Sequence, residues 1–271
     1  MGNLLDSLMY VREVGVGAGT KVSLMRDVRD NTVYCKKSIA AAAENYDSQV
    51  KQIKQEYEIG LDNGHPALRT AYEFGTIKKG FRAVETYNIL EFVDGAQLDV
   101  YAKTATQAKL VKIFWHVADG LQELHKRGFV HADLKPLNIL CRRNGRPTVI
   151  DFGQACPMYH KKPRIQGTQD YIAKEQVKKL ALDGRTDVFG LGATMHMIFL
   201  GRTVETALNR LQVGGSTTID PNWREAERNL DPALHKLIKD CCAEERENRP
   251  TNMQLVKDRL EMAFQRLPKA G

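Results

Sequence analysis

Residues 131–138 read His131-Ala132-Asp133-Leu134-Lys135-Pro136-Leu137-Asn138, and Asp151-Phe152-Gly153 follows them. Asp133 and Asn138 stand five positions apart, and Asp133 and Asp151 eighteen. These residue types carry chemistry. A positioned carboxylate such as Asp133 accepts or orients the proton of an attacking hydroxyl. Asn138 and Asp151 offer hard oxygen donors of the kind Mg²⁺ takes, and Lys135 adds a compact positive charge. Taken alone, the first segment is also readable as a surface loop with a chance Asp and Asn. The second segment adds another carboxylate of the same kind.

Outward from this core the pattern divides. On the N-terminal side, Tyr10 to Arg26 alternates around a glycine cluster as a hairpin does, and Asn31 to Ile39 is a further β-like run. Ala40 to Leu61 reads as a helix that His65-Pro66 ends. Leu68 to Phe74 and Arg82 to Val93 read as strands around a Lys78-Lys79-Gly80 turn. Ala108 to Lys126 has an apolar helical face through Leu110, Ile113, Phe114, Val117, Leu121 and Leu124. A strand-rich stretch from Phe129 to Phe152 follows, and helices run from about Asp187 to the end. Sheet first and helices later, with the motifs at the join, predicts an α+β fold of two lobes.

These segments resemble the catalytic loop and metal-binding triplet of the eukaryotic-type (Hanks-type) Ser/Thr protein kinases. The resemblance implies the two-lobed kinase fold over residues 8–265. A small β-rich lobe with one main helix would span about 8–93, and a larger helical lobe about 94–265. It also implies transfer of the γ-phosphoryl group of Mg·ATP to Ser/Thr hydroxyls of a protein. Asp133 would then be the catalytic carboxylate, and Lys135 would sit against the transferred group. Asn138 and Asp151 would hold Mg²⁺. Thr168, in Gly167-Thr168-Gln169-Asp170-Tyr171-Ile172-Ala173-Lys174-Glu175, would bond near Asp133 and Lys135.

In Gly15-Val16-Gly17-Ala18-Gly19-Thr20-Lys21-Val22, the glycines would let the backbone approach the phosphates. Val22 would pack on the adenine. A plain tight hairpin is the alternative. The lysine of the third strand is Lys37 or its neighbour Lys36. Strand alternation lets only one face the nucleotide. Two residues before Lys37 stands the small Cys35, whereas two before Lys36 stands Tyr34, which would fill the pocket, so Lys37 is preferred. Its carboxylate partner is expected to be Glu56, with Glu44 and Glu58 as rivals. Leu90-Glu91-Phe92-Val93 resembles the segment linking the lobes. There Leu90 would be the gatekeeper, and Glu91 and Val93 would bond adenine. Glu175 should pair with Arg249, and Asp187 should hold the catalytic loop.

Several positions depart from the family pattern. Ala132 stands where most regulated kinases have Arg. The matching phosphorylation site, eleven before Glu175, is Arg164. Gln154 to Gln166 contains no Ser or Thr, and only Tyr159 bears a hydroxyl. The expectation is a kinase active without activation-loop phosphorylation. His160, Lys161, Lys162 and Arg164 read as a solvated basic loop, or as one that favours acidic substrates. Lys174 replaces the usual Pro before Glu175. Gly60 reads as a weak mid-helix position, which predicts a mobile helix and a gain in activity for Gly60→Leu.

Composition excludes other classes. The chain has 271 residues, 42% of them hydrophobic, and a formal net charge of +7. It is long enough for a large core, and its basic residues are scattered rather than clustered for nucleic acid. Five cysteines at unpatterned spacing predict free thiols in a reducing, cytoplasmic compartment. No apolar run approaches a membrane span. Met1-Gly2 lacks the Ser or Thr of a myristoylation site, since Asp6 stands there. A monomer with a protein substrate is expected. The competing readings are a catalytically silent scaffold of the same fold and a small-molecule phosphotransferase.

Overall fold

Strands come first in the computed structural model, which describes residues 3–17, 19–61, 63–211 and 218–267. Met1, Gly2 and Ala18, quoted above, lie outside the described residues. Strands β1 (Leu8–Gly17), β2 (Thr20–Asp27) and β3 (Val33–Ala40) precede helix α1 (Tyr46–Gly60). Strands β4 (Ala71–Lys79) and β5 (Arg82–Glu91) follow it. All five strands pair antiparallel in one sheet, in the order β1-β2-β3-β5-β4. β5 lies between β3 and β4 and is buried from Thr86 to Leu90.

The helix begins at Tyr46 rather than at Ala40. Ala40 is still paired with Glu85 as the last residue of β3, and the Ala41 N–H donates to Val84 O at 2.8 Å. A residue held in a strand ladder cannot adopt helical dihedrals, so turns intervene.

Gly60 is likewise not mid-helix. It is the last residue of α1 and is buried. A Cβ there would stand 2.9 Å from Ala71 Cβ, 3.0 Å from Ala71 N and 3.2 Å from Arg69 O. Glycine lets α1 pack closely on β4, and two of the three obstacles are backbone. Gly60→Leu is therefore expected to strain this packing rather than to firm a mobile helix. Overpacking of this kind costs about 1–3 kcal/mol, so Gly60→Leu should lower the urea midpoint of unfolding. A midpoint at or above that of the wild type would contradict the packing argument.

The chain divides into two compact units. The first holds the residues up to Asp94 and, out of sequence, Asp151–Gly153; the second holds Gly95–Ile150 and the residues from Gln154 onward. The second unit contains short strands β6 (Gly95–Gln97), β7 (Phe129–Val130), β8 (Ile139–Arg142), β9 (Pro147–Val149) and β10 (Cys156–Pro157). Its helices are α2 (Leu98–Ala102), α3 (Gln107–Lys126), α4 (Lys174–Val177), α5 (Gly184–Leu200), α6 (Ala207–Leu211), α7 (Trp223–Arg228), α8 (Pro232–Cys241) and α9 (Met253–Arg266). The architecture is thus α+β, with an antiparallel five-stranded sheet in one unit and helices dominating the other.

α3 starts at Thr106, whose side chain accepts the Lys109 N–H as an N-cap. The stripe from Leu110 to Leu124 is buried as its period predicts. α5 is capped by Asp183, is buried nearly all round, and stops at Gly201 with φ 65°. All five cysteines are free. Among the described residues no helix is long and apolar enough to cross a membrane.

Candidate active site

In the first unit, β-alternation separates the two adjacent lysines. Lys37 Nζ donates to Glu56 Oε2 and to Asp151 Oδ1, each at 2.8 Å. Lys36 Nζ instead reaches Glu85 Oε2 at 2.9 Å and lies over the Tyr87 ring. The rival carboxylates go elsewhere: Glu58 pairs with Lys54 at 3.7 Å on the exposed helix face, and Glu44 is exposed. Glu56 is 1% exposed, and its Oε1 has no partner. Burial works against the Lys37 charge, but the Glu56 and Asp151 carboxylates outweigh it and hold the ammonium above its ordinary pKa. Lys37 is therefore a fixed cation.

Asp151 sits at φ 65°, a region that costs a residue with a Cβ energy and is commonly found at functional sites. Gly15, Val16 and Gly17 end β1 in register with Val22, Lys21 and Thr20. Val16 is 72% exposed. Val22 packs on the buried cluster of Cys35, Ala71 and Leu90, with Tyr57 and Phe92. Cys35 lies directly opposite Leu90 in the sheet. The Glu91 carbonyl accepts from Arg69 Nε at 3.0 Å. Val93 is buried.

In the second unit, Asp133, Lys135 and Thr168 close a triangle. Thr168 Oγ1 donates to Asp133 Oδ1 at 2.8 Å. Lys135 Nζ donates to Asp133 Oδ2 at 3.1 Å and to Thr168 Oγ1 at 2.7 Å. Each carboxylate oxygen of Asp133 is thereby fixed. Asn138 Nδ2 donates to the Asp133 carbonyl at 2.8 Å, so its amide oxygen is the atom left to meet a cation.

Asp187, in the first turn of α5, holds the loop from below. Its oxygens accept the N–H groups of His131 and Ala132, both at 2.8 Å, and His125 Nε2 stands 2.8 Å from Oδ2. Burial alone would raise the Asp187 pKa, but the His125 bond, the neighbouring His125 and His131 rings and the Ala132 N–H keep it below the ordinary carboxylate range. Ala132 itself has φ 59°.

Glu175 and Arg249 meet at 2.7 and 3.1 Å, both almost fully buried. Lys174, where a proline was expected, starts α4 and pairs with Glu244 at 3.1 Å. Sequence reasoning missed two supporting residues. Gln176 donates to Ala132 O at 2.8 Å and to Gln166 O at 3.0 Å, joining the loop to the segment after it. Its one signal is Gln at the third helical position, where such a side chain turns back to the helix start, and its Oε1 does accept the Ala173 N–H. His125 had no signal beyond its place in the last turn of α3.

A family model described as a protein kinase domain matches residues 8–260. Among curated relatives, the serine/threonine-protein kinase Pkn1 of Myxococcus xanthus is 32% identical over 212 residues, covering 74% of this chain and 30% of its own length. The cAMP-dependent protein kinase catalytic subunit 3 of Drosophila melanogaster is 28% identical over 254 residues, 92% of this chain and 42% of its own. The serine/threonine-protein kinase PknB of Mycolicibacterium smegmatis is 27% identical over 197 residues, 69% of this chain and 31% of its own. The matched region thus spans less than half the length of each of these relatives.

Proposed function

The chain belongs to the protein kinase family, and from that premise we propose that it transfers the γ-phosphoryl group of Mg·ATP to Ser/Thr hydroxyls of a protein substrate. The observation that carries this is the closed triangle of Asp133, Lys135 and Thr168. Phosphoryl transfer asks for positioning and neutralised charge more than for covalent chemistry. Asp133, with both oxygens anchored, is aimed as a proton acceptor for the substrate hydroxyl. Lys135 supplies positive charge beside it, where the transferred group would pass.

Lys37, kept protonated by Glu56 and Asp151, would pair with the nucleotide phosphates. Val22, Cys35 and Leu90 form the apolar cluster suited to adenine, and Glu91 and Val93 would bond its edge. Gly15, Val16 and Gly17 would bring backbone near the phosphates. Asn138 and Asp151 offer the oxygen donors that Mg²⁺ takes alongside substrate phosphates. When bound, the ion would neutralise charge on those phosphates. Five free thiols suit a cytoplasmic location.

The proposal includes activity without activation-loop phosphorylation. Ala132 supplies no guanidinium for a phosphate, and Arg164 supplies no hydroxyl to phosphorylate. The test is transfer of labelled γ-phosphate by phosphatase-treated protein. Treated wild type and Lys36→Met should transfer at similar rates. Lys37→Met should lose about 10²-fold or more, the scale of removing one preorganised charge. Activity lost on dephosphorylation, or kept in Lys37→Met, would go against the proposal.

A further inference from the structure

The stretch from Cys156 to Lys161 contains only the two-residue strand β10, yet main-chain bonds hold it along its length. Its first half lies on β7. Cys156 stands opposite Val130 and Pro157 opposite Phe129, and the Met158 N–H donates to the Gly128 carbonyl at 2.8 Å. Its second half lies on Ala181 and Leu182. The Tyr159 N–H donates to Leu182 O at 2.6 Å, the Leu182 N–H donates to His160 O at 3.1 Å, and Lys161 forms an antiparallel bridge with Ala181. The change of partner falls at Tyr159, which takes φ 64°.

Both partners are anchored in turn. β7 runs into His131 and Ala132, whose N–H groups bond to Asp187. Ala181 and Leu182 lead into Asp183, the cap of the helix that carries Asp187, and the Ala181 carbonyl accepts from Arg246 Nη1 at 2.9 Å. The side chains follow the backbone: Val130, Ala132, Cys156 and Leu182 form one buried cluster, with Met158 packed against it. The Ala132 methyl is thus part of the packing that seats the segment.

A residue with a Cβ in the left-handed region costs energy, and it persists only where its surroundings over-determine it. Tyr159 is 74% exposed, so burial of its ring does not hold it there. The main-chain bonds on its two sides do. We infer that Tyr159 is a positioning residue. Its left-handed turn passes the segment from β7 to Ala181 and Leu182, and so fixes residues 156–161 against the loop of Asp133 by main chain and apolar packing, with no phosphate. The inference rests on the proposed phosphoryl transfer, and gives that reading its account of how the segment is ordered.

The test uses phosphatase-treated protein and three variants. Tyr159→Pro sets φ near about −65° and removes the N–H that bonds to Leu182. Its kcat should fall by up to about 100-fold, the loss that misplacing a catalytic group by about an ångström brings. KM for ATP should stay near the wild-type value, and amide hydrogen exchange should rise at 156–161 and at 181–182 together. Tyr159→Gly accepts the left-handed region freely and should keep both kcat and exchange. Tyr159→Val, whose branched side chain resists that region, should fall between. A general loss of stability would instead lower the melt and shift KM along with kcat.

Wild-type kcat and exchange in Tyr159→Pro and Tyr159→Val would overturn the inference. A loss in Tyr159→Gly as large as in Tyr159→Pro would also overturn it, because the phenol rather than the turn would then matter. If Tyr159→Pro does not fold, Val against Gly decides: a lower kcat and faster exchange in Tyr159→Val support the turn, and equal values reject it. A wild type that transfers no phosphate would sink the proposed function. Exchange would then decide the turn alone: faster at 156–161 and 181–182 in Tyr159→Val than in Tyr159→Gly it stands, equal it falls.

Discussion

Asp133→Asn should lower kcat by about two to four orders of magnitude, the range that a positioned proton acceptor contributes, with the fold intact. The substitution changes one oxygen to an NH₂ group at constant shape. The remaining oxygen can keep the 2.8 Å bond from Thr168. The new amide faces Lys135, which donates and cannot accept, but Lys135 retains its 2.7 Å bond to Thr168. The Asp133 side chain is only 10% exposed and that of Lys135 20%, so losing the carboxylate charge beside Lys135 should lower the melt somewhat. KM for ATP should move little, because Lys37, Glu56 and Asp151 are untouched. Steady-state kinetics with a thermal melt of each protein separates the cases. If Asp133→Asn keeps about a tenth or more of the rate, well above what loss of a general base allows, Asp133 is not the base. A scaffold of the same fold would show no transfer in either protein.

The parts of this site legible in the sequence are those where chemistry and period act locally. Strand alternation with a small residue two positions back pointed to Lys37, and the structure gives the Glu56 pair to Lys37. The helical stripe of α3 was visible in Leu110 to Leu124 because one face of one element decides it. What escaped depended on partners distant along the chain. His125 and Gln176 act on Asp187 and Ala132 across 62 and 44 residues, and no local pattern encodes such a meeting. Gly60 was misread for the same reason. Helix propensity sees a weak position, whereas the close approach of Ala71 belongs to another element. The start of α1 was displaced because the ladder with Glu85 overrode helix-forming alanines. Lys162 reads as a surface charge because composition gives a charge no location, whereas in the structure it is 7% exposed.

Arg249→Met should destabilise the protein by about 3–5 kcal/mol, the usual result of stripping one partner from a buried ion pair. Glu175 would remain buried with Thr186 Oγ1 at 3.0 Å as its other side-chain donor. Arg249 also donates to the carbonyls of Ala243, Arg185 and Glu244 at 2.7, 3.0 and 2.8 Å, and those would be orphaned together. Glu175→Gln should cost less. Its amide oxygen can still accept from the guanidinium, which keeps its three carbonyls. The double variant should lie between the two single ones, because removing the stranded carboxylate charge helps while the orphaned carbonyls still cost. At about 2–4 °C per kcal/mol for a protein of this size, Arg249→Met should melt roughly 10 °C lower. Its kcat should fall as well, since Gln176, beside Glu175 in α4, holds Ala132 O and Gln166 O. If Arg249→Met melts no lower than Glu175→Gln, the carbonyl bonds carry little and the pair is a registry contact rather than a stabilising one.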